Sequence, residues 1–199
     1  MLDHIVLATR NVKKKIELQA ILAEVLGREI RVSSAAELEL PEVRETGLTF
    51  AENALLKARS AADASGLPAI ADDSGLAVDV LGGAPGIFSA RWAGTHGDDV
   101  ANYRLLLDQL SDIAAPHRTA AFVCAAAYVE PGGVQFVEVG RFEGSLAMAP
   151  RGSAGFGYDP IFAPAGDDRT AAELTAEEKN ARSHRRLALT ALAEHLRDL

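Results

Sequence analysis

The sequence predicts an α/β fold, a mixed sheet with flanking helices, and three stretches carry that reading. His4–Ala8 is a short apolar strand that turns directly into an amphipathic helix. Ala69–Asp79 reads as a buried strand whose apolar run is broken by Asp72 and Asp73. Thr119–Val129 and Val134–Glu143 flank Glu130-Pro-Gly-Gly133, a hairpin signal in which Pro131 favours a looser connection than a two-residue turn.

In chain order, the first strand leads through Thr9-Arg-Asn-Val-Lys-Lys-Lys15 into a helix with Leu18, Ile21, Leu22, Val25 and Leu26 on one face, closed by Gly27. Such a junction aims free N–H groups at whatever lies above it. The basic residues Arg10, Lys13, Lys14 and Lys15 oppose the helix dipole there, a conflict that an anion would relieve; Lys15 is expected simply to fan into solvent. The spaced glycines and Gly-Lys-Ser/Thr of a Walker loop are missing. Ile30–Ser33 reads as a second strand and Ala35–Val43 as irregular. Thr49 and Glu52 form a capping box for a helix to about Ser65, ended by Gly66, with Phe50, Ala54, Leu55, Ala58, Ala61 and Ala62 inward. Asn53 and Lys57, four apart, share one of its faces, and Glu45 precedes it on a loop.

Consecutive strand residues point to opposite faces, so Asp72 and Asp73 are not expected to serve one pocket unless the strand bends. Each buried carboxylate needs a metal, a cation or hydrogen-bond donors. After the turn-rich Gly82–Gly86, a helix is marked by Val100, Tyr103, Leu106, Leu107 and Leu110. The second hairpin arm alternates Val134, Phe136 and Gly140 against polar neighbours only in part. Gly155-Phe-Gly-Tyr-Asp-Pro-Ile-Phe162 makes poor core, and Phe156 or Tyr158 offers a flat face to a base. Ala171–Lys179 reads as polar and helical. A last helix, Asn180–Leu196, turns Leu187, Ala188, Ala191 and Leu192 inward and carries Ser183-His-Arg-Arg186 in its first turn.

Residues 1–199, 48% hydrophobic, suffice for one domain, in one or two lobes. A net charge of −8 disfavours binding to long nucleic acid. The single Cys124, in an apolar run, excludes an internal disulfide and fits a reducing compartment. The longest apolar run, Ala120–Val129, falls well short of the ~20 residues of a membrane span. Met1-Leu-Asp-His-Ile enters a strand without a signal-peptide layout, and a cytoplasmic location is expected. His4, His96, His117 and His195 lack metal-ligand spacing and read as surface or terminal residues; only His184 sits in a basic cluster. There is no His/Cys set for zinc and no convincing Ser–His–Asp set. Acids at Glu45 and Asp72/Asp73, basic residues at Lys13/Lys14, Lys57, Lys179 and His184/Arg185, and aromatics in a glycine loop suggest a Mg²⁺–phosphate site beside a base pocket.

Five blocks resemble one family in order: Leu7-Ala-Thr-Arg-Asn-Val-Lys-Lys14, Glu45–Ala54, Ala71–Arg91, Gly155–Phe162, and Ala172-Glu-Leu-Thr with Lys179 and Ser183-His-Arg185. The chain is similar to the inosine/xanthosine triphosphate pyrophosphatases, the Ham1-like nucleotide housecleaning enzymes. The resemblance implies an elongated α/β fold in two lobes around a central cleft (the Maf/Ham1 fold), a homodimer, Mg²⁺ as cofactor, and hydrolysis of ITP, dITP and XTP to the monophosphate and pyrophosphate. It implies Asp73 as general base and metal ligand, and Glu45 as the other metal carboxylate. Thr9, Arg10, Asn11, Val12, Lys13 and Lys14 would form the phosphate turn, helped by Lys57. Ser74 would contact substrate, and Phe156, Gly157, Tyr158, Asp159, Lys179, His184 and Arg185 would shape the base and sugar pocket. Arg10 departs from the family, which usually has glycine after the threonine. The alternatives are a Maf-like pyrophosphatase with another base preference and a non-catalytic nucleotide sensor. The intact Phe156–Asp159 and Ser183–Arg185 blocks argue against the first.

Overall fold

A computed structural model describes residues 2–199, which leaves Met1 of the N-terminal run outside it. The elements are β1 (His4–Leu7), α1 (Val12–Leu26), β2 (Arg31–Ser34), α2 (Phe50–Ser65), β3 (Ala69–Val78), α3 (Asp99–Gln109), β4 (Thr119–Val129), β5 (Gln135–Leu146), β6 (Phe162–Pro164), α4 (Ala176–Ala181) and α5 (His184–His195). The strands form one six-stranded sheet in the order β2-β1-β3-β4-β5-β6. Its parallel part pairs β1 with β2 and with β3, in registers that set Ile5 against Val32 and Leu7 against Ile70. Residues 130–134, too few for a parallel crossover, join β4 to β5, so those neighbours run antiparallel. The Glu130 N–H closes this loop on the Val134 carbonyl at 2.8 Å. β6 pairs antiparallel with the end of β5. Among the described residues no helix is long and apolar enough to cross a membrane.

The chain divides into two compact units, the first Met1–Asp73, Cys124–Gly140 and Arg185–Leu199, the second Ser74–Val123 and Arg141–His184. In the first unit β1 and the start of β3 are packed on both faces, which explains their apolar residues at consecutive positions. Ile5, Leu7, Ile70, Cys124 and Tyr128 pack on α1 and α5 through Leu18, Leu22, Leu189 and Leu192. The alternate residues Val6, Ala69, Ala71, Ala125 and Ala127 pack on α2 through Ala54, Ala58, Ala61 and Ala62. Burial pushes the Cys124 thiol pKa far up, so it is an inert core residue. Asn11 caps α1, its side-chain oxygen accepting from Lys13 N and Lys14 N, and Gly27 ends it at φ 66°. Thr49 caps α2, but the Glu52 carboxylate accepts from Leu48 N at 2.6 Å rather than from the Thr49 N–H, so the expected box closes one residue early.

In the second unit Leu76, Leu106, Leu110, Phe142, Tyr158 and Ile161 surround Phe162, whose ring lies 4.6 Å from that of Phe122. The buried Arg118 guanidinium donates to the carbonyls of Leu110, Ile113 and Ala147 at 2.5, 2.8 and 3.3 Å, a cation at the end of α3 where the helix dipole favours it.

Several boundaries and faces differ from expectation. Val100 and Val134 are exposed. Val100 lies in the first turn of α3, beyond the core stripe of Leu106 and Leu110, and Val134 belongs to the loop before β5. The last helix is two: α4 ends at Ala181, the chain turns through Arg182–Ser183, and α5 starts at His184. α5 is rotated so that Ala188, Leu189, Leu192 and Ala193 face inward and Leu187 is exposed, because Leu189 and Ala193 supply a competing apolar pair at helical spacing. Ala171–Lys179 is a buried 3-10 turn at Ala171–Glu173 followed by α4, each opened by its own capping box. Lys15 does not fan into solvent; its ammonium holds Glu37 at 2.6 Å.

Candidate active site

The alternation of β3 decides where its two acids go. Asp72 shares the face of Ile70, toward α1 and α5, and Asp73 shares the face of Ala69 and Ala71, toward α2. Asp72 is buried and meets Lys14 Nζ at 2.5 Å and Arg185 Nε at 3.3 Å. Asp73 accepts from Lys57 Nζ at 3.1 Å and Asn53 Nδ2 at 3.2 Å. The two carboxylates therefore have separate partners, as a straight strand requires.

Their proton affinities diverge for the same reason. Burial works to raise the Asp72 pKa, but Lys14 and Arg185 outweigh it and hold this carboxyl well below the usual range. Burial pushes Asp73 up; Lys57 opposes that, and the nearby Glu45 charge adds to the rise. Burial also works against the Lys57 ammonium, yet Asp73 and Glu45 prevail and keep its pKa above normal.

Lys57 is the hinge of this cluster. Besides Asp73 it holds Glu45 Oε1 at 2.7 Å, so two carboxylates from distant parts of the chain share one ammonium. The loop that carries Glu45 is fixed by Asn53, whose Oδ1 accepts from Gly47 N at 2.8 Å while its Nδ2 donates to Asp73. Gly47 is required at that approach: a Cβ there would lie 2.7 Å from Asn53 Oδ1 and from Glu52 Cβ.

Of these groups Glu45 and Lys57 border a cavity of about 330 Å³ in the first unit, which is also lined by Thr9, Arg10, Lys14 and Asp72, among others. Thr9 Oγ1 accepts from Asn11 N at 3.2 Å, and Asn11 is occupied as the α1 cap. Arg10 turns toward Leu40 and Glu42. Val12 and Lys13 are exposed on the first turn of α1, and Ser74 is exposed on β3 immediately after Asp73. Arg185, expected among the base-pocket residues, is buried, with its guanidinium on Glu17, Asp72 and the Lys14 carbonyl.

The glycine loop of the second unit makes a different kind of site. Phe156 is 77% exposed, whereas Tyr158 is only 4% exposed and donates its O–H to the Ser89 carbonyl at 2.8 Å. Of the two aromatics, then, Phe156 presents an exposed ring and Tyr158 anchors the loop. Asp159 is buried and accepts from Phe156 N at 2.9 Å and Lys179 Nζ at 2.5 Å. Lys179 Nζ also stands 4.8 Å from the centre of the Phe156 ring. Gly155, at φ 78°, sits where any Cβ would overlap the Asp159 carboxylate. Asp99, in the first turn of α3, accepts from Gly157 N at 2.7 Å. His184 stacks on Phe122 at 5.3 Å.

Sequence reasoning missed Asp72 as the partner of Lys14 and Arg185, Asn53 as the tie between Glu45 and Asp73, and Asp99 as support for the Phe156 loop. Parity with Ile70 pointed Asp72 toward α1, and the four-residue spacing of Asn53 and Lys57 was visible. Nothing local marked Asp99.

Among the described residues no group of three or more His, Cys, Asp or Glu side chains is placed to hold a metal. Glu45 and Asp73 would be the carboxylates offered to a divalent metal, which would have to displace the Lys57 ammonium they now share and find its other ligands in water and phosphate. That sparse, hard-oxygen donor set suits Mg²⁺.

Comparison with known proteins adds the family. The Ham1 family model matches residues 5–195. A dITP/XTP pyrophosphatase of Streptomyces coelicolor is 59% identical, the alignment covering 100% of this chain and 99% of that protein. The crystal structure of a nucleoside-triphosphatase, or dITP/XTP pyrophosphatase, from Mycobacterium abscessus is 53% identical with a TM-score of 0.81, covering 95% of this chain and 98% of that one. A HAM1 protein structure from Coxiella burnetii is 43% identical with a TM-score of 0.91, covering 99% and 100%.

Proposed function

The chain belongs to the Ham1 family, and from that premise we propose that it hydrolyses the deaminated purine nucleoside triphosphates ITP, dITP and XTP to the monophosphate and pyrophosphate. The observation that carries the reading is the pair of carboxylates, Glu45 and Asp73, gathered on Lys57 beside a cation-lined cavity. Full-length relatives at more than half identity carry the name of this activity.

Lys14, Lys57 and the start of α1 receive the polyphosphate, whose charge the N-terminal amides and cations offset. Glu45 and Asp73 would hold Mg²⁺, which when bound supplies charge neutralisation of the phosphates and of the departing pyrophosphate. Asp73, with its raised pKa, orients a water toward the α-phosphorus and accepts its proton. Lys57 keeps both carboxylates placed for that work. Phe156 stacks on the base. Inosine and xanthosine present a carbonyl acceptor at C6 and adenine an amino donor, so an N–H of Arg185 or His184 donates to the first and is left unpaired by the second. The reading extends to a cytoplasmic homodimer, which the family resemblance supports.

Pyrophosphate release from ITP, dITP, XTP, dGTP, dATP, UTP and TTP, each with and without Mg²⁺, tests it. Release from the first three in Mg²⁺ alone is expected. A preference for UTP or TTP would favour the Maf-like alternative, and no release from any would favour a sensor.

A further inference from the structure

Among the described residues three cations line the first unit's cavity: Arg10, Lys14 and Lys57. Two of them are paired with well-shielded carboxylates. Lys14 neutralises the buried Asp72 at 2.5 Å, and Lys57 lies between Glu45 and Asp73. Arg10 is held differently. Its Nε meets Glu42 Oε1 at 3.0 Å with 56% of the Arg10 side chain and 81% of the Glu42 side chain open to solvent. Its Nη2 reaches the Leu40 carbonyl at 3.3 Å, long for a charged donor.

An exposed ion pair of this kind contributes little net stability, because water competes for both partners. A polyphosphate brings several charges and oxygens spaced for the planar guanidinium fork, which suits it better than one mobile carboxylate. Glu42 lies on the cavity wall together with Arg10, so its charge repels the same ligand that Arg10 attracts.

We propose that Arg10 is a clamp for the polyphosphate chain and that Glu42 is its resting partner, displaced when a triphosphate enters. This rests on the reading that the cavity receives the phosphates. Two opposite effects follow from one contact. Removing Arg10 loses a phosphate ligand, whereas neutralising Glu42 frees the guanidinium and removes a repulsive charge.

The test is calorimetric titration of the full chain with inorganic tripolyphosphate in Mg²⁺ buffer, using Arg10→Ala, Arg10→Lys, Glu42→Gln and the Arg10→Ala/Glu42→Gln pair, alongside steady-state kinetics on dITP. Arg10→Ala is expected to weaken tripolyphosphate binding about tenfold, equivalent to about 1.4 kcal/mol, and Arg10→Lys by less, because a point charge replaces the fork. Glu42→Gln should tighten binding about threefold, and most of that gain should vanish without Arg10. With dITP, KM should rise in Arg10→Ala while kcat stays within about twofold. Melting temperatures should stay together, since the pair is solvated. Unchanged binding in Arg10→Ala overturns the proposal. So does weaker binding in Glu42→Gln, which would make the pair a brace for the Leu40–Glu42 segment. If the wild type binds tripolyphosphate through Arg10 but releases no pyrophosphate from dITP, the clamp stands and the activity reading falls.

Discussion

Asp72→Asn separates the two neighbouring acids by stability. Asp72 is buried against Lys14 and Arg185, and the isosteric amide leaves both cations without their shared counter-charge. Breaking a buried pair by removing one partner costs about 3–5 kcal/mol. Lys14 is one-third exposed and Arg185 retains Glu17, so the lower end applies, about 3 kcal/mol. For a chain of this size each kcal/mol moves Tm by about 2–4 °C, giving a drop of about 6–12 °C at pH 7. The sign follows from linkage. The folded-state pKa of Asp72 lies below the unfolded value of ~3.9, so its contribution is fully present above that value and is lost as pH falls through the folded one. The difference between wild type and variant should be constant from pH 7 to 5 and shrink below about pH 4. Calorimetric melts and urea midpoints across that range measure it. A variant that melts within about 1 °C of wild type at pH 7, or a gap that persists unchanged in acid, would refute the argument that Asp72 is the buried counter-ion.

Asp73→Asn should behave oppositely. Its folded pKa is raised, so the stability tied to its protonated form is present below the unfolded pKa and already lost at pH 7. Tm should therefore hold or rise while pyrophosphate release falls by roughly 10²–10⁴-fold; near-normal turnover would remove Asp73 from the chemistry. Gly47→Ala forces a Cβ against Asn53 and Glu52, with a cost of about 1–3 kcal/mol and reduced turnover from a displaced Glu45; wild-type kinetics would show that the loop yields freely. Phe156→Ala should leave Tm unchanged, because the ring is exposed, and raise KM by the loss of about 1–3 kcal/mol of stacking; an unchanged KM for dITP would assign the base to another surface.

What could be read in advance followed local rules. The period of two along β3 gave Asp72 and Asp73 different neighbours, and the helical spacing of Asn53 and Lys57 put both on Asp73. The β1–α1–β2 succession and the β4–β5 hairpin were legible from apolar runs and turn residues; the parallel pairing of β1 with β2 was not. The rest was hidden where no local rule discriminates. Arg185 meets Glu17 and Asp72 across long sequence separations, and no spacing announces that. Phe156 and Tyr158 stand two apart in a loop of positive-φ glycines, where periodicity has no meaning. The break at Arg182–Ser183 carries neither Gly nor Pro, so α4 and α5 read as one.

The alanine stripe of α2 has a consequence for how tightly the chemistry is tuned. Ala54 and Ala58 follow Asn53 and Lys57 directly, and both are wholly buried. Their methyl groups act as spacers between helix and sheet, so the depth at which the amide and the ammonium meet β3 is a matter of single carbon atoms. Enlarging either alanine by even two carbons would lift α2 outward and detune the reaction centre from beneath, without altering any group that touches a nucleotide.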